Sequence, residues 1–134
     1  MRWIALALAL GAAGSAMAEE DPVRGADLYV SFCSACHGPT ARGDGPMAPI
    51  LDVLPADLTT LAARHGGAFP TEAAARQIDG RDPLLAHGGP MPLFGEFFGG
   101  EGGATKTETG QPMVTSQEII DLLAFLRTIQ QPAN

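Results

Sequence analysis

Two cysteines three residues apart, with a histidine directly after the second, constrain this chain more than any other feature: Cys33-Ser34-Ala35-Cys36-His37. Thiols at that spacing can each add to a vinyl group of a porphyrin and form thioethers, and the adjacent imidazole then reaches the metal from the same loop. C-x-x-C-H is for that reason the sequence mark of covalent haem attachment. A chain tethered in this way must fold around a flat apolar group that carries the redox chemistry, while the protein ligates, insulates and docks it. Other uses of the thiols are weaker. A disulfide between them would close a tiny loop and constrain little. Structural zinc wants four ligands, usually in two separated pairs. A thioredoxin-like site needs a βαβ context, and no strand-like run precedes Cys33.

The chain has 134 residues, room for one domain. Its first eighteen read as a leader: Arg2, an apolar run from Trp3 to Ala13, then Ala16-Met17-Ala18 before the acidic Glu19-Glu20-Asp21. That order is the pattern of a secretory signal peptide cleaved after Ala18. It predicts a domain over 19–134 that is exported to the periplasm and keeps no membrane span. An uncleaved anchor is the alternative, but Trp3–Ala18 is short of the roughly 20 residues a span needs, and its second half is small rather than greasy. Eight Lys and Arg stand against fifteen Asp and Glu, a formal net charge of −7. Loss of Arg2 makes the balance one unit more negative, and haem propionates add to it. Nucleic acid is excluded as a partner, since phosphate binding needs a basic patch.

Helices separated by Gly/Pro-rich loops account for the remainder. Asp21-Pro22 opens the first, with an acidic N-cap and proline in the first turn. Ala26, Tyr29, Val30 and Cys33 follow at helical spacing, so the C-x-x-C-H loop lies at that helix's end. Gly25 inside it costs about 1 kcal/mol relative to alanine, which suits a close helix crossing. Asp57–His65 and Thr71–Ile78 are shorter helices, ending at Gly66-Gly67 and Gly80. The last helix starts from a capping box, Thr115-x-x-Glu118, and carries the apolar stripe Ile119, Leu122, Leu123, Leu126, Ile129 up to Pro132. Phe125 can meet Gly25 and Tyr29 where the terminal helices cross. No β period is readable, so the fold class is all-α. The Gly/Pro-rich stretches 38–55 and 88–112 read as loops wrapped about a cofactor.

His37 is the first axial ligand, through Nε2, with its other ring nitrogen donating to a backbone carbonyl, for which Pro46 and Pro49 are the candidates. For the sixth position the candidates are Met47, Met91, Met113, His65 and His87. Met91 is favoured, because Pro90 and Pro92 pre-set an extended backbone that presents its thioether across the haem face. Met47 is too close to His37 in sequence to reach the other face, and Met17 and Met113 read as core filler. His65 and His87, each before a pair of glycines, read as solvated, and Arg64, Arg76 and Arg81 as surface charges rather than propionate partners.

These residues resemble a class I monohaem cytochrome c of the small bacterial periplasmic type. The likeness runs from Gly25-x-x-x-Tyr29-x-x-x-Cys33-x-x-Cys36-His37-Gly38 through Gly43-Asp44-Gly45-Pro46 and Asp57-Leu58-Thr59 to Met91-Pro92-x-Phe94-Gly95 and Leu122-x-x-Phe125-Leu126. It implies one haem c bonded to Cys33 and Cys36, iron held by His37 and Met91, and terminal helices crossing near Gly25 and Phe125. The implied activity is one-electron transport without catalysis, with redox partner proteins docking at the exposed haem edge. A second reading makes the chain the cytochrome subunit of a dehydrogenase or oxidase complex. A third, a haem sensor or peroxidase, needs a vacant sixth position. Glu96–Pro112 is longer than the family's compact core requires and reads as a mobile or partner-docking loop.

Overall fold

A computed structural model describes residues 17–80 and 91–132. Of the expected leader, residues 1–16 lie outside the described residues, as do Arg81, His87 and Pro90. Helix α1 (Pro22–Phe32) starts as its sequence dictates: the Asp21 carboxylate accepts from Val23 N at 2.9 Å and Arg24 N at 3.0 Å, and Pro22 occupies the first turn. A four-residue helix, α2 (Ser34–His37), follows almost without a break. Asp57 then caps a 3-10 turn, Leu58–Thr60, which runs into α3 (Leu61–Arg64), and Gly66 and Gly67 end this segment at positive φ. Helix α4 (Thr71–Asp79) closes on Gly80 at φ +68°.

Helix α5 (Gln117–Thr128) is the spine of the molecule. Ile119, Leu122, Leu123 and Leu126 are all buried, and Ile129 packs against them. Burial of one such side chain contributes about 1.5–3 kcal/mol, so this stripe accounts for much of the fold's apolar stabilisation. α1 crosses α5 at Gly25, where a Cβ would collide with the Asp121 carbonyl and stand 2.9 Å from Phe125 Cβ. Tyr29 and Phe125 meet at the same crossing, with ring centroids 5.3 Å apart. Asp121, wholly buried there, accepts from Asp21 N and Gln117 Nε2 and faces the Arg24 guanidinium at 3.2 Å.

The predominantly helical fold agrees with the sequence. One element does not follow from it. Where the sequence reads as a loop leading into the last helix, β1 (Gly102–Lys106) and β2 (Pro112–Ser116) pair antiparallel, from Gly102 opposite Ser116 to Lys106 opposite Pro112. An isolated hairpin is marginal in water. This one is clasped from outside: Thr105 Oγ1 donates to Glu20 Oε1 at 2.9 Å, Ala18 N donates to Ala104 O at 2.8 Å, and Gly103 lies against Ile120. The strand also moves the start of α5. Its cap is Ser116, the last residue of β2, whose Oγ accepts from Ile119 N, and not Thr115, which lies one residue further inside the strand. No helix among the described residues is long and apolar enough to cross a membrane.

Candidate functional site

The end of α1 delivers the two thiols. Cys33 N donates to Tyr29 O, and His37 N to Cys33 O, both at 2.9 Å, so α2 continues the helical path and sets Cys33, Cys36 and His37 around one turn. After His37 the chain reverses at Gly38, φ +81°, where a side chain would strike Asp44. The next loop is laced onto the turn it has just left. Gly43 N donates to His37 O, Gly45 N to Cys36 O and Met47 N to Ala35 O, at 2.8–3.0 Å. Gly45 is required there, because a Cβ would collide with the Ala35 carbonyl oxygen. Buried Tyr29 braces the reversal by donating its hydroxyl to Gly38 O at 2.6 Å, and burial holds that phenol well above its usual pKa.

His37 Nδ1 lies 2.9 Å from Ala56 O. A carbonyl only accepts, so Nδ1 carries the proton and a neutral ring leaves Nε2 bare as a donor to a metal. The acceptor is Ala56, and neither Pro46 nor Pro49, because the loop holding those prolines is spent on the backbone of Ala35–His37. Cys33 and Cys36 are free thiols. Burial, with Cys36 beside it, pushes the Cys33 thiol up to about 11, so it stays protonated at neutral pH. Among the described residues, no cluster of three or more His, Cys, Asp or Glu is placed to hold a metal ion.

These groups open on a cavity of about 390 Å³, within the roughly 300–1,000 Å³ of cofactor and small-molecule sites. Its walls are mainly apolar, supplied by Leu58 and Leu61, by Ala74 and Ile78 of α4, and by Leu122 and Leu126 of α5. Cys33, Cys36, His37 and Met91 all line it. The loop bearing Met91 is pinned to the end of α4, with Phe94 N donating to Ile78 O at 3.0 Å and Gly95 N to Asp79 O at 2.9 Å. Gly80 makes room for that loop, since a Cβ on it would strike Leu93. Gln77 Nε2 stands 4.0 Å from Met91 Sδ.

The remaining candidates separate clearly. Met47 is exposed and does not line the cavity, Met113 sits in β2 against the core, and Met17 is exposed. His65 is exposed at the end of α3 as the sequence suggests, with Nδ1 2.8 Å from Leu61 O, yet it also reaches the cavity rim. Arg64 donates to Asp57 O and Arg76 pairs with Glu72, and neither lines the cavity. His87 and Arg81 lie outside the described residues. One participant had no readable signal: the Ala56 carbonyl, which has no side chain to announce it.

An apolar cavity bordered by two free thiols and an imidazole with its Nε2 bare fits a covalently held haem. Residues 22–130 match the family model for cytochrome c. Neither a curated protein nor a solved structure matches the chain. With four-fifths of its length in the match and the thiol–imidazole turn in the cavity wall, the chain belongs to the cytochrome c family, whose members bind haem c covalently and carry electrons on its iron.

Proposed function

We propose that this chain is a periplasmic one-electron carrier, exported by a leader cleaved after Ala18, with its iron held by His37 Nε2 and Met91 Sδ. Cys33 and Cys36 supply the thioether bonds. The observation that carries the reading is that Met91 alone among the described methionines lines the cavity shared by Cys33, Cys36 and His37. When bound, the haem supplies a one-electron ferric/ferrous couple, and a histidine–methionine pair favours the reduced state.

The chain's own residues do the rest. The Ala56 carbonyl fixes the His37 tautomer and ring angle, so the imidazole enters either redox state already oriented. The tethers from Phe94 and Gly95 to α4 hold the Met91 loop, so little rearranges with the charge. Leu58, Leu122 and Leu126 exclude water and lower the local dielectric. Partner proteins dock at the haem edge near the Cys33 turn and the Met91 loop, and the net negative charge favours basic partners and makes association salt-sensitive.

The test is the spectrum of the matured protein. The ferric form is expected to display the weak long-wavelength charge-transfer band of methionine ligation, and the ferrous form to refuse carbon monoxide without denaturant. Met91→Ala is expected to abolish the band and admit carbon monoxide. A band that survives Met91→Ala overturns the assignment, and a native ferrous form that takes up carbon monoxide overturns the carrier reading in favour of a sensor or peroxidase. Amino-terminal sequencing of periplasmic protein is expected to begin at Glu19.

A further inference from the structure

We infer that Gln130, just past the end of α5, is a positioning residue for the His37 imidazole: its side-chain amide staples the segment that carries the Ala56 carbonyl, and through that carbonyl it sets how strongly the ring donates to iron. The inference rests on His37 being an axial ligand. It adds to that half of the site a residue from the other end of the chain.

The amide of Gln130 is almost fully used. Nε2 donates to Leu58 O at 2.7 Å and to Leu126 O at 2.8 Å, while Oε1 accepts from Ala62 N at 2.9 Å. The partners fix its orientation. Carbonyls only accept and a backbone N–H only donates, so the reversed amide would set oxygen against oxygen and N–H against N–H. Both ends of the staple need it. Thr60, at the N-cap of α3, makes no side-chain cap bond, and Leu126 lies in the last turn of α5, where helices leave carbonyls without an internal partner. The next residue extends the seam, with Gln131 N donating to Thr59 O at 2.8 Å.

What the staple holds is the segment facing His37. Leu58 stands two residues after Ala56, and Leu58 N donates to Ala41 O at 2.8 Å, so Leu58 is tied to the loop after His37 on one side and to Gln130 on the other. Leu58 and Leu61 also wall the cavity. A segment fixed at Leu58, Thr59 and Ala62 leaves the Ala56 carbonyl little freedom to drift from His37 Nδ1, 2.9 Å away. An imidazole whose Nδ1–H bonds a carbonyl is more basic at Nε2, and a more basic ligand favours the more electron-demanding ferric state. Loosening the staple lengthens that hydrogen bond, so the ring donates less and the midpoint potential rises.

Gln130→Met keeps the length without a polar group, and Gln130→Asn keeps an amide but withdraws it by one methylene. Neither changes the charge. Ser116→Ala, which removes the cap at the opposite end of α5, is the control for stability alone. The matured proteins are compared with wild type for midpoint potential, for the His37 ring resonances in paramagnetic NMR, and for hydrogen exchange at the Ala62 amide. Both Gln130 variants are expected to raise the potential and displace the His37 resonances while those of the Met91 methyl stay in place. Ala62 exchange should be roughly five-fold faster, the size of one modest hydrogen bond. Ser116→Ala is expected to change none of the three. Potential and His37 resonances unchanged in both Gln130 variants overturn the role at the imidazole, whether or not Ala62 exchange quickens. A potential that rises equally in Ser116→Ala assigns the effect to stability and overturns it as well. A wild-type protein without axial imidazole resonances overturns the His37 ligand, and this inference with it.

Discussion

The turn that carries Cys33, Cys36 and His37 is held by its own neighbours in sequence, whereas the loop that carries Met91 is held by a helix it does not continue. Around His37, hydrogen bonds from Gly43, Gly45 and Met47 return to residues six to twelve positions back, and the imidazole is oriented by Ala56. Around Met91, the anchors are Ile78, Asp79 and the space beside Gly80, all on the far side of residues 81–90. A locally closed turn with two covalent bonds to a cofactor cannot let go without losing its backbone structure. A loop pinned by two hydrogen bonds and one glycine can open while the rest of the molecule stays folded. The two proposed axial ligands therefore differ in how they fail, and each of the following substitutions separates or joins them.

The largest effect is expected from replacing both Cys33 and Cys36 by alanine. Covalent attachment is lost outright, and with it the ordering of the cavity walls. The check is haem staining after denaturing electrophoresis, together with the mass of the chain. A stained band would mean that attachment does not use these thiols.

Next comes Gly25→Val, which strikes both halves at once. Its side chain would collide with the Asp121 carbonyl and Phe125 at the α1–α5 crossing. Overpacking of this kind costs typically 1–3 kcal/mol and more where backbone faces backbone. A stability loss of about 3 kcal/mol in chemical denaturation is expected, with both ligands failing in one transition.

Gly80→Ala should split the two ligands apart. The residue sits at φ +68°, which costs a non-glycine residue roughly 1–2 kcal/mol, and its new methyl would press on Leu93, two residues beyond Met91. Covalent haem and His37 ligation are expected to survive while the methionine band weakens and carbon monoxide gains access. If the band is untouched, the Met91 loop does not depend on this anchor.

How much of this was legible in the sequence depends on whether a feature is local. Asp21-Pro22, the apolar stripe of α5 and the Gly25–Phe125 crossing were readable, because each is a cap, a period or a single pair of residues. The hairpin was not. Gly102-Gly103-Ala104 has poor strand propensity, and its pairing is stabilised by Glu20 and Ile120, which lie far off in sequence. The same tertiary choice displaced the α5 cap by one residue. Thr115 and Ser116 are both good caps, and only the strand register decides between them; Glu118, freed from a capping box, turns to Arg24 at 3.1 Å. At the site the cysteines and His37 announce themselves, while the group that orients the imidazole is a backbone carbonyl, which no side chain marks.

The smallest effect, and the sharpest probe of the His37 half, comes from Asp57, which immediately follows the carbonyl that orients the imidazole. Its carboxylate accepts from Thr59 N at 2.8 Å and Thr59 Oγ1 at 2.6 Å, capping the turn that leads into α3. The Thr59 hydroxyl bond, with lesser help from Arg42 and Arg64, holds that carboxyl below its usual range. A carboxyl with a lowered pKa in the folded state stabilises the fold above its unfolded value, near 4, and the contribution fades as pH falls through the lowered one. Asp57→Ala is thus expected to cost about 1 kcal/mol at neutral pH, as loss of a cap does. The gap to wild type should narrow in acid, below about pH 4. Denaturant titrations of both proteins at neutral and acid pH measure it. A gap that stays constant with pH would mean the cap acts through shape alone. Because Ala56 moves with this turn, the His37 resonances in paramagnetic NMR should shift in the variant while those of the Met91 methyl hold still, which is the difference between a ligand oriented by its neighbours and one oriented across the fold.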